Sequence, residues 1–170
     1  MLRLVCLALF FVLPSIAAQD NYILGPGDKI SIKVYGQEDL TVESFLGNSG
    51  EINYPFLGEI KIAGLTVKQI EHLVTKGLKE GYLIKPNVFA QVIEYRPFYI
   101  HGEVKNPGAY PYNPGMSINQ AIALAGGLTE RASEDKVFLF KEGNNTNQLK
   151  ATLDTKVSAG DTIKIDQRFF

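Results

Sequence analysis

One motif occurs twice in this chain, and each copy runs from a hairpin-like segment into a capped helix. Gly50-Glu51-Ile52-Asn53-Tyr54-Pro55 leads to Thr66-Val67-Lys68-Gln69-Ile70, and Gly102-Glu103-Val104-Lys105-Asn106-Pro107 leads to Ser117-Ile118-Asn119-Gln120-Ala121. Both helix starts place Gln three residues after Thr or Ser, which makes a capping box. The hydroxyl accepts from an orphan amide of the first turn, and the Gln side chain reaches back to the amide of the cap. Two β-β-α modules in tandem are therefore expected. Nothing catalytic sits at the matched positions, so the modules read as scaffold.

A second echo brackets the first. Gly27-Asp28-Lys29-Ile30-Ser31-Ile32 resembles Gly160-Asp161-Thr162-Ile163-Lys164-Ile165, each a Gly-Asp turn opening a strand of alternating apolar and polar residues. Asp28 is expected to bond the backbone two residues on, and Asp161 to do the same. Two copies are too few for a solenoid.

Arg3, the apolar run Leu4 to Leu13 and the small residues of Pro14-Ser15-Ile16-Ala17-Ala18 have the layout of a secretory signal. The run is short for a bilayer span, so residues 1–18 are expected to be cleaved, with cleavage at Ala17 or Ala18 and an uncleaved anchor as the alternative. Cys6, the single cysteine, follows Val5, where a bacterial lipoprotein box needs a small residue, so no lipid anchor is expected. A mature chain would then hold no cysteine for a disulfide, a thiol nucleophile or a Cys-based zinc site. Export without disulfides fits a bacterial envelope. The remaining ~150 residues can bury roughly 70% of their unfolded surface without a staple. Net charge is −1 with both signs mixed and no basic tract, which argues against nucleic-acid binding.

Ile30, Ile32 and Val34 alternate with Lys29, Ser31 and Lys33, the pattern of a half-buried strand. Glu51 to Tyr54 and Glu59 to Ile62 read as a hairpin around Pro55-Phe56-Leu57-Gly58. A helix capped by Thr66 follows, with Val67, Ile70, Leu73, Val74, Gly77 and Leu78 on its apolar side and Lys68, Glu71, Lys76 and Lys79 exposed. Val88 to Ile93 is a strand, and Arg96-Pro97 marks the boundary between modules. Phe98 to Ile100 and Ala109 to Tyr112 flank Asn106-Pro107-Gly108, and Asn113-Pro114-Gly115 turns again; both Pro-Gly pairs suit type II turns. Ser117 to Ala125 forms a short helix ended by Gly126-Gly127. Val137 to Phe140 pairs with Leu149 to Leu153 across the polar loop Glu142 to Gln148, and Asp161 to Ile165 closes the sheet. The class is α+β, dominated by short strands.

Catalytic constellations are not evident. Gly25-Pro26-Gly27-Asp28-Lys29 lacks Walker spacing and opens a strand where a phosphate loop opens a helix. His72 and His101 have no partner at metal-ligand spacing. Glu38-Asp39 and Glu134-Asp135 lie in turn-like contexts and read as solvated, with a carboxylate dyad from distant strands as the open alternative. Gly47-Asn48-Ser49-Gly50 lacks a nucleophile-elbow pattern. Asn144-Asn145-Thr146 matches a glycan acceptor triplet but reads as a polar loop. Tyr110 and Tyr112 share a strand face that could stack on sugars or on a subunit, against the plain preference of aromatics for pleated surfaces. No enzyme, metal site or cofactor is expected.

Tyr22-x-x-Gly25-Pro26-Gly27-Asp28, Gly50-Glu51-Ile52-x-x-Pro55-x-x-Gly58-x-Ile60 and Gly64-Leu65-Thr66 together resemble the polysaccharide export domain of bacterial outer-membrane capsule and exopolysaccharide translocons. Gly102-Glu103-Val104-x-x-Pro107-Gly108-x-Tyr110, followed by Ser117-Ile118-x-x-Ala121-Ile122-x-x-Ala125-Gly126-Gly127, resembles the soluble-ligand-binding β-grasp domain that follows it in that family. The resemblance implies an export β/α domain over 19–96 and a β-grasp domain over 97–168. It also implies a homo-oligomeric ring through which polysaccharide passes, an inner-membrane polysaccharide co-polymerase as partner, and a location in the periplasm against the outer membrane. Tyr22, Gly25, Gly27, Asp28, Gly50, Pro55, Gly58, Thr66, Gly102, Pro107, Gly108, Ser117, Gly126 and Gly127 carry over as motif residues, in turns and caps.

Long members of the family add a lipid anchor, a C-terminal pore helix and further β-grasp domains. Here Gln167-Arg168-Phe169-Phe170 follows the last strand, and the expectation is a short member that docks on a separate outer-membrane β-barrel. Competing readings are a monomeric module that binds a carbohydrate or small ligand, and an envelope enzyme acting on glycans.

Overall fold

A computed structural model describes residues 22–143 and 148–168. The leader, with Cys6, and the Asn144-Asn145-Thr146 triplet lie outside the described residues. The chain first forms β1 (Lys29–Val34), β2 (Gln37–Phe45), the hairpin of β3 (Glu51–Tyr54) and β4 (Gly58–Lys61), α1 (Val67–Lys79) and β5 (Val88–Glu94). Then come β6 (Phe98–Gly102), β7 (Gly108–Tyr110), α2 (Ile118–Leu124), β8 (Ala132–Phe140), β9 (Leu149–Ala151) and β10 (Thr162–Gln167). The fold is α+β in two parts, each with its own core.

The first part holds an antiparallel sheet ordered β2-β1-β5 beside the β3-β4 hairpin. Its core gathers Leu24, Ile30, Ile32, Val34, Tyr54, Ile62 and the buried face of α1, Ile70, Val74 and Leu78. Burying each of these three helix side chains contributes about 1.5–3 kcal/mol, and that packing is what holds a helix of this length. The second part is a mixed sheet ordered β7-β6-β10-β8-β9, packed with α2 around Phe98, Ile100, Ile118, Val137, Ile163 and Ile165.

Several expectations need correction. β10 does not close the sheet at an edge: it runs parallel to β6 and antiparallel to β8, at the centre. Its buried Ile163 and Ile165 fit that place, because a central strand is covered where an edge strand is not. Glu38-Asp39 and Glu134-Asp135 lie in strands β2 and β8, not in turns, although all four are exposed. In β2 only Leu40 is fully buried, so its apolar alternation is too weak to signal a strand. Leu73, expected on the core side of α1, is 37% exposed. Glu71 is not simply solvated, since its carboxylate accepts from the Ala90 amide at 2.9 Å and ties α1 to β5.

The two copies of the opening motif are also not equivalent in space. Gly50 precedes the first strand of its hairpin, whereas Gly102 ends β6, and the residues after it form a loop before β7. Both copies nonetheless keep the β-β-α order, an antiparallel strand pair feeding a capped helix, with both reciprocal cap bonds present at Thr66/Gln69 and at Ser117/Gln120. The Pro107-Gly108 pair makes no type II turn: Gly108 has no positive φ and pairs with Ile100 as the start of β7. At Asn113-Pro114-Gly115 the turn is present, with the Met116 amide bonded to the Asn113 carbonyl at 3.1 Å and Gly115 at φ 80°.

Candidate functional site

The Gly-Asp echo, unlike the longer repeat, survives in three dimensions. The Asp28 amide donates to the Gly25 carbonyl at 3.2 Å with Gly27 at φ 94°, and the Asp161 amide donates to the Ser158 carbonyl at 3.2 Å with Gly160 at φ 81°. Left-handed backbone at the third position defines a type II turn and favours glycine. Contrary to expectation, the carboxylates do not bond the backbone two residues on. Each reaches back across its turn, Asp28 accepting from the Gly25 amide at 2.9 Å and Asp161 from the Ser158 amide at 2.8 Å.

Both aspartates are buried, at 0% and 1% exposure. A buried carboxylate needs a cation and a full set of donors. Lys141 Nζ meets Asp161 at 2.7 Å. Asp28 is matched by Arg96, whose Nη1 lies at 2.6 Å and whose own amide donates at 2.8 Å, while the Tyr22 hydroxyl donates at 2.8 Å.

Arg96 stands between the two parts of the molecule. Its opposite side grips Glu142 with two nitrogens, Nε at 3.0 Å and Nη2 at 2.7 Å, a fork geometry that lysine cannot reproduce. One guanidinium thus joins the turn before β1 to the loop after β8. The two echoed turns make room for it: a Cβ at Gly25 would stand 2.9 Å from the guanidinium carbon, and one at Gly160 2.5 Å from the Glu142 carboxyl carbon. Burial disfavours the Arg96 cation, but the Glu142 hydrogen bonds and the Asp28 charge outweigh it and raise its pKa.

Tyrosines pack beside this ion pair. Tyr22 and Tyr95 meet edge to face at 4.8 Å, Tyr95 and Tyr112 at 5.5 Å, and Tyr22 stacks on Tyr112 at 6.4 Å. The cluster therefore spans both parts. Burial, then the hydrogen bond to Asp28, push the Tyr22 phenol well above its ordinary range, and burial raises Tyr112. An open cleft of about 590 Å³ runs along the cluster, lined among others by Glu94, Tyr95, Tyr110, Tyr112 and Asn113. A second, of about 340 Å³, lies over Arg96 and Glu142.

The motif residues divide accordingly. Tyr22, Gly25, Gly27 and Asp28 meet at the Arg96 hub. Gly50, Pro55 and Gly58 belong to the β3-β4 hairpin and its approach, Thr66 caps α1, and Ser117 caps α2. Gly126 and Gly127 end α2 with paired bonds to the Ala123 and Ile122 carbonyls, a Schellman motif. Gly102 sits where β6 meets β10, and a Cβ there would fall 2.1 Å from the Ile165 carbonyl oxygen. Pro107 and Gly108 lead into β7. These residues do not converge on one catalytic centre. Both histidines are exposed, and no group of three or more metal-ligating side chains comes together among the described residues.

Sequence reasoning missed Arg96 and Glu142 as functional side chains, reading one as a boundary marker and the other as a polar loop. The signal was present in the paired Gly-Asp turns. Two buried aspartates demand two cations, and Arg96 is the one arginine between the leader and residue 131.

Comparison with known proteins follows this division. Residues 16–93 match the model of the polysaccharide biosynthesis/export protein family, and residues 97–148 match the SLBB domain. The polysialic acid transport protein KpsD of Escherichia coli is 31% identical over 159 residues, covering 87% of this chain and 28% of that protein. The exopolysaccharide production protein ExoF of Rhizobium meliloti is 29% identical over 126 residues, covering 67% of this chain and 30% of that protein. The EPS I polysaccharide export outer membrane protein EpsA of Ralstonia nicotianae is 26% identical over 191 residues, covering 91% and 50%. The chain thus spans half or less of the length of these relatives. Joined through Arg96, residues 16–93 thus belong to the polysaccharide biosynthesis/export protein family and residues 97–148 to the SLBB domain family.

Proposed function

We propose that this protein is a non-enzymatic subunit of a polysaccharide export apparatus, working in the periplasm against the outer membrane and assembling into a ring through which the polymer passes. The observation that carries this reading is the ordered pairing of the two family domains, with relatives named for polysaccharide export and transport. The Arg96 hub supports it, because a ring subunit must hold its domains at a fixed angle for successive copies to close. Special residues in turns, caps and the hub are what such a scaffold requires. The division into units over 19–96 and 97–168, the leader over 1–18, and the partners form part of the same proposal. Those partners are an inner-membrane co-polymerase and a separate outer-membrane β-barrel. Among the described residues no helix is long and apolar enough to cross a membrane.

Light scattering and negative-stain imaging of the purified protein, alone and with its membrane partners, test the assembly. Closed rings of defined mass are expected. A monomer under every condition would overturn the ring.

A further inference from the structure

The tyrosine cleft at the junction has features that the scaffold role leaves unused. Tyr110, at the end of β7, is pinned by its hydroxyl, which donates to the Asn106 carbonyl at 2.7 Å. Tyr112 and Tyr95 brace one another edge to face, with Tyr22 behind them. Three half-buried rings are thus held rigid along one open cleft, and binding there costs little side-chain ordering. Exposed Glu94 and Asn113 supply acceptors and donors at its margin, and the salt bridge that Glu94 makes among the described residues is a long one, 3.7 Å to Lys29.

Size and charge narrow the occupant. A volume of about 590 Å³ lies within the 300–1,000 Å³ range of small-ligand sites, which favour domain junctions. Lysine and arginine are absent from its lining, and a carboxylate is present, so phosphates and polyanions are disfavoured. Aromatic faces beside a carboxylate and an amide suit a ligand with one C–H face and a rim of hydroxyls.

We propose that this cleft binds a neutral glycan segment, with the rings of Tyr95, Tyr110 and Tyr112 taking the apolar faces of its sugars and Glu94 and Asn113 bonding its hydroxyls. The proposal rests on the polysaccharide-export reading and adds a point of contact with the polymer. It also gives a sign: the site selects against anionic chains.

Amide-resolved NMR titration of the full chain with maltohexaose, with oligosialic acid and with a proline-rich peptide tests it. Saturable shifts at residues 94–97 and 109–113 with maltohexaose are expected, and none there with oligosialic acid. The double variant Glu94→Gln/Asn113→Ala, both on exposed side chains, should weaken binding about tenfold at unchanged Tm. Tyr95→Ala should weaken it to a similar extent. Absence of shifts with maltohexaose, shifts confined to another surface, or occupation of the cleft by oligosialic acid or the peptide instead would each overturn the proposal. Export itself is read separately: a gene deletion that leaves export intact overturns the export role whatever the cleft binds. If export needs the gene but the cleft stays empty, the cleft alone fails.

Discussion

Ser31 and Asp28, three residues apart, show opposite fates of a buried polar group. The Ser31 hydroxyl is fully buried in β1 with no hydrogen-bond partner among the described residues, whereas Asp28 is saturated. Ser31→Ala is therefore expected to raise stability by ~1 kcal/mol, read as a higher urea midpoint. Asp28→Ala should cost ~3–5 kcal/mol, because it leaves a largely buried guanidinium half-compensated. Tyr54 adds a pH dependence: burial pushes its phenol from 10.0 up to about 12. Below pH 10 it is neutral in both states and its contribution is whole. As pH climbs from 10 towards 12 the unfolded chain loses the proton first, so stability falls. Tyr54→Phe should flatten that alkaline loss while giving up the bond to the Leu40 carbonyl, which denaturant midpoints on either side of pH 10 will separate. The sequence marked Asp28 as special but could not supply its partners. Alternation placed Ser31 on a solvent face, yet in the middle strand of its sheet it lies between Glu43 of β2 and Gln91 of β5 and is buried.

At the level of elements, α2 depends on its ends. Seven residues are too few for a stable isolated helix, so the Ser117 cap and the Gly126-Gly127 terminus help fix its frame. Ser117→Ala is expected to lower stability by ~1 kcal/mol, measured as a drop in the urea midpoint. Both capping boxes were legible in the sequence because their hydrogen bonds are local. Strand order was not. Nothing within Asp161 to Ile165 says that it will lie beside β6, since that pairing is decided by a core assembled from residues far apart in the chain. For the same reason the echo of Gly50-Glu51 in Gly102-Glu103 misled: the first opens a strand and the second leaves one, and only their surroundings distinguish them.

Across the whole molecule, the arginine hub is the joint that makes two cores into one scaffold. Its two halves differ in kind: the Asp28 carboxylate is buried, whereas the Glu142 side chain is 46% exposed. Glu142→Gln should thus change global stability by no more than ~1 kcal/mol. Dipolar distances between spin labels on β2 and β9 should nevertheless broaden, because a fastener between the parts has been removed. An unchanged distribution would relieve Arg96 of that role. The domain order, the Gly-Asp turns and the caps could be read from the residues; the joint could not, because Arg96 and Glu142 lie 46 positions apart and no local pattern links them. The central claim, that this scaffold serves export, is tested most directly by measuring polysaccharide inside and outside cells lacking the gene, with and without the wild-type copy restored. The account predicts polymer made but retained inside, and returned to the surface by the restored gene. Normal amounts outside the deletion strain, or loss of synthesis itself, would contradict it.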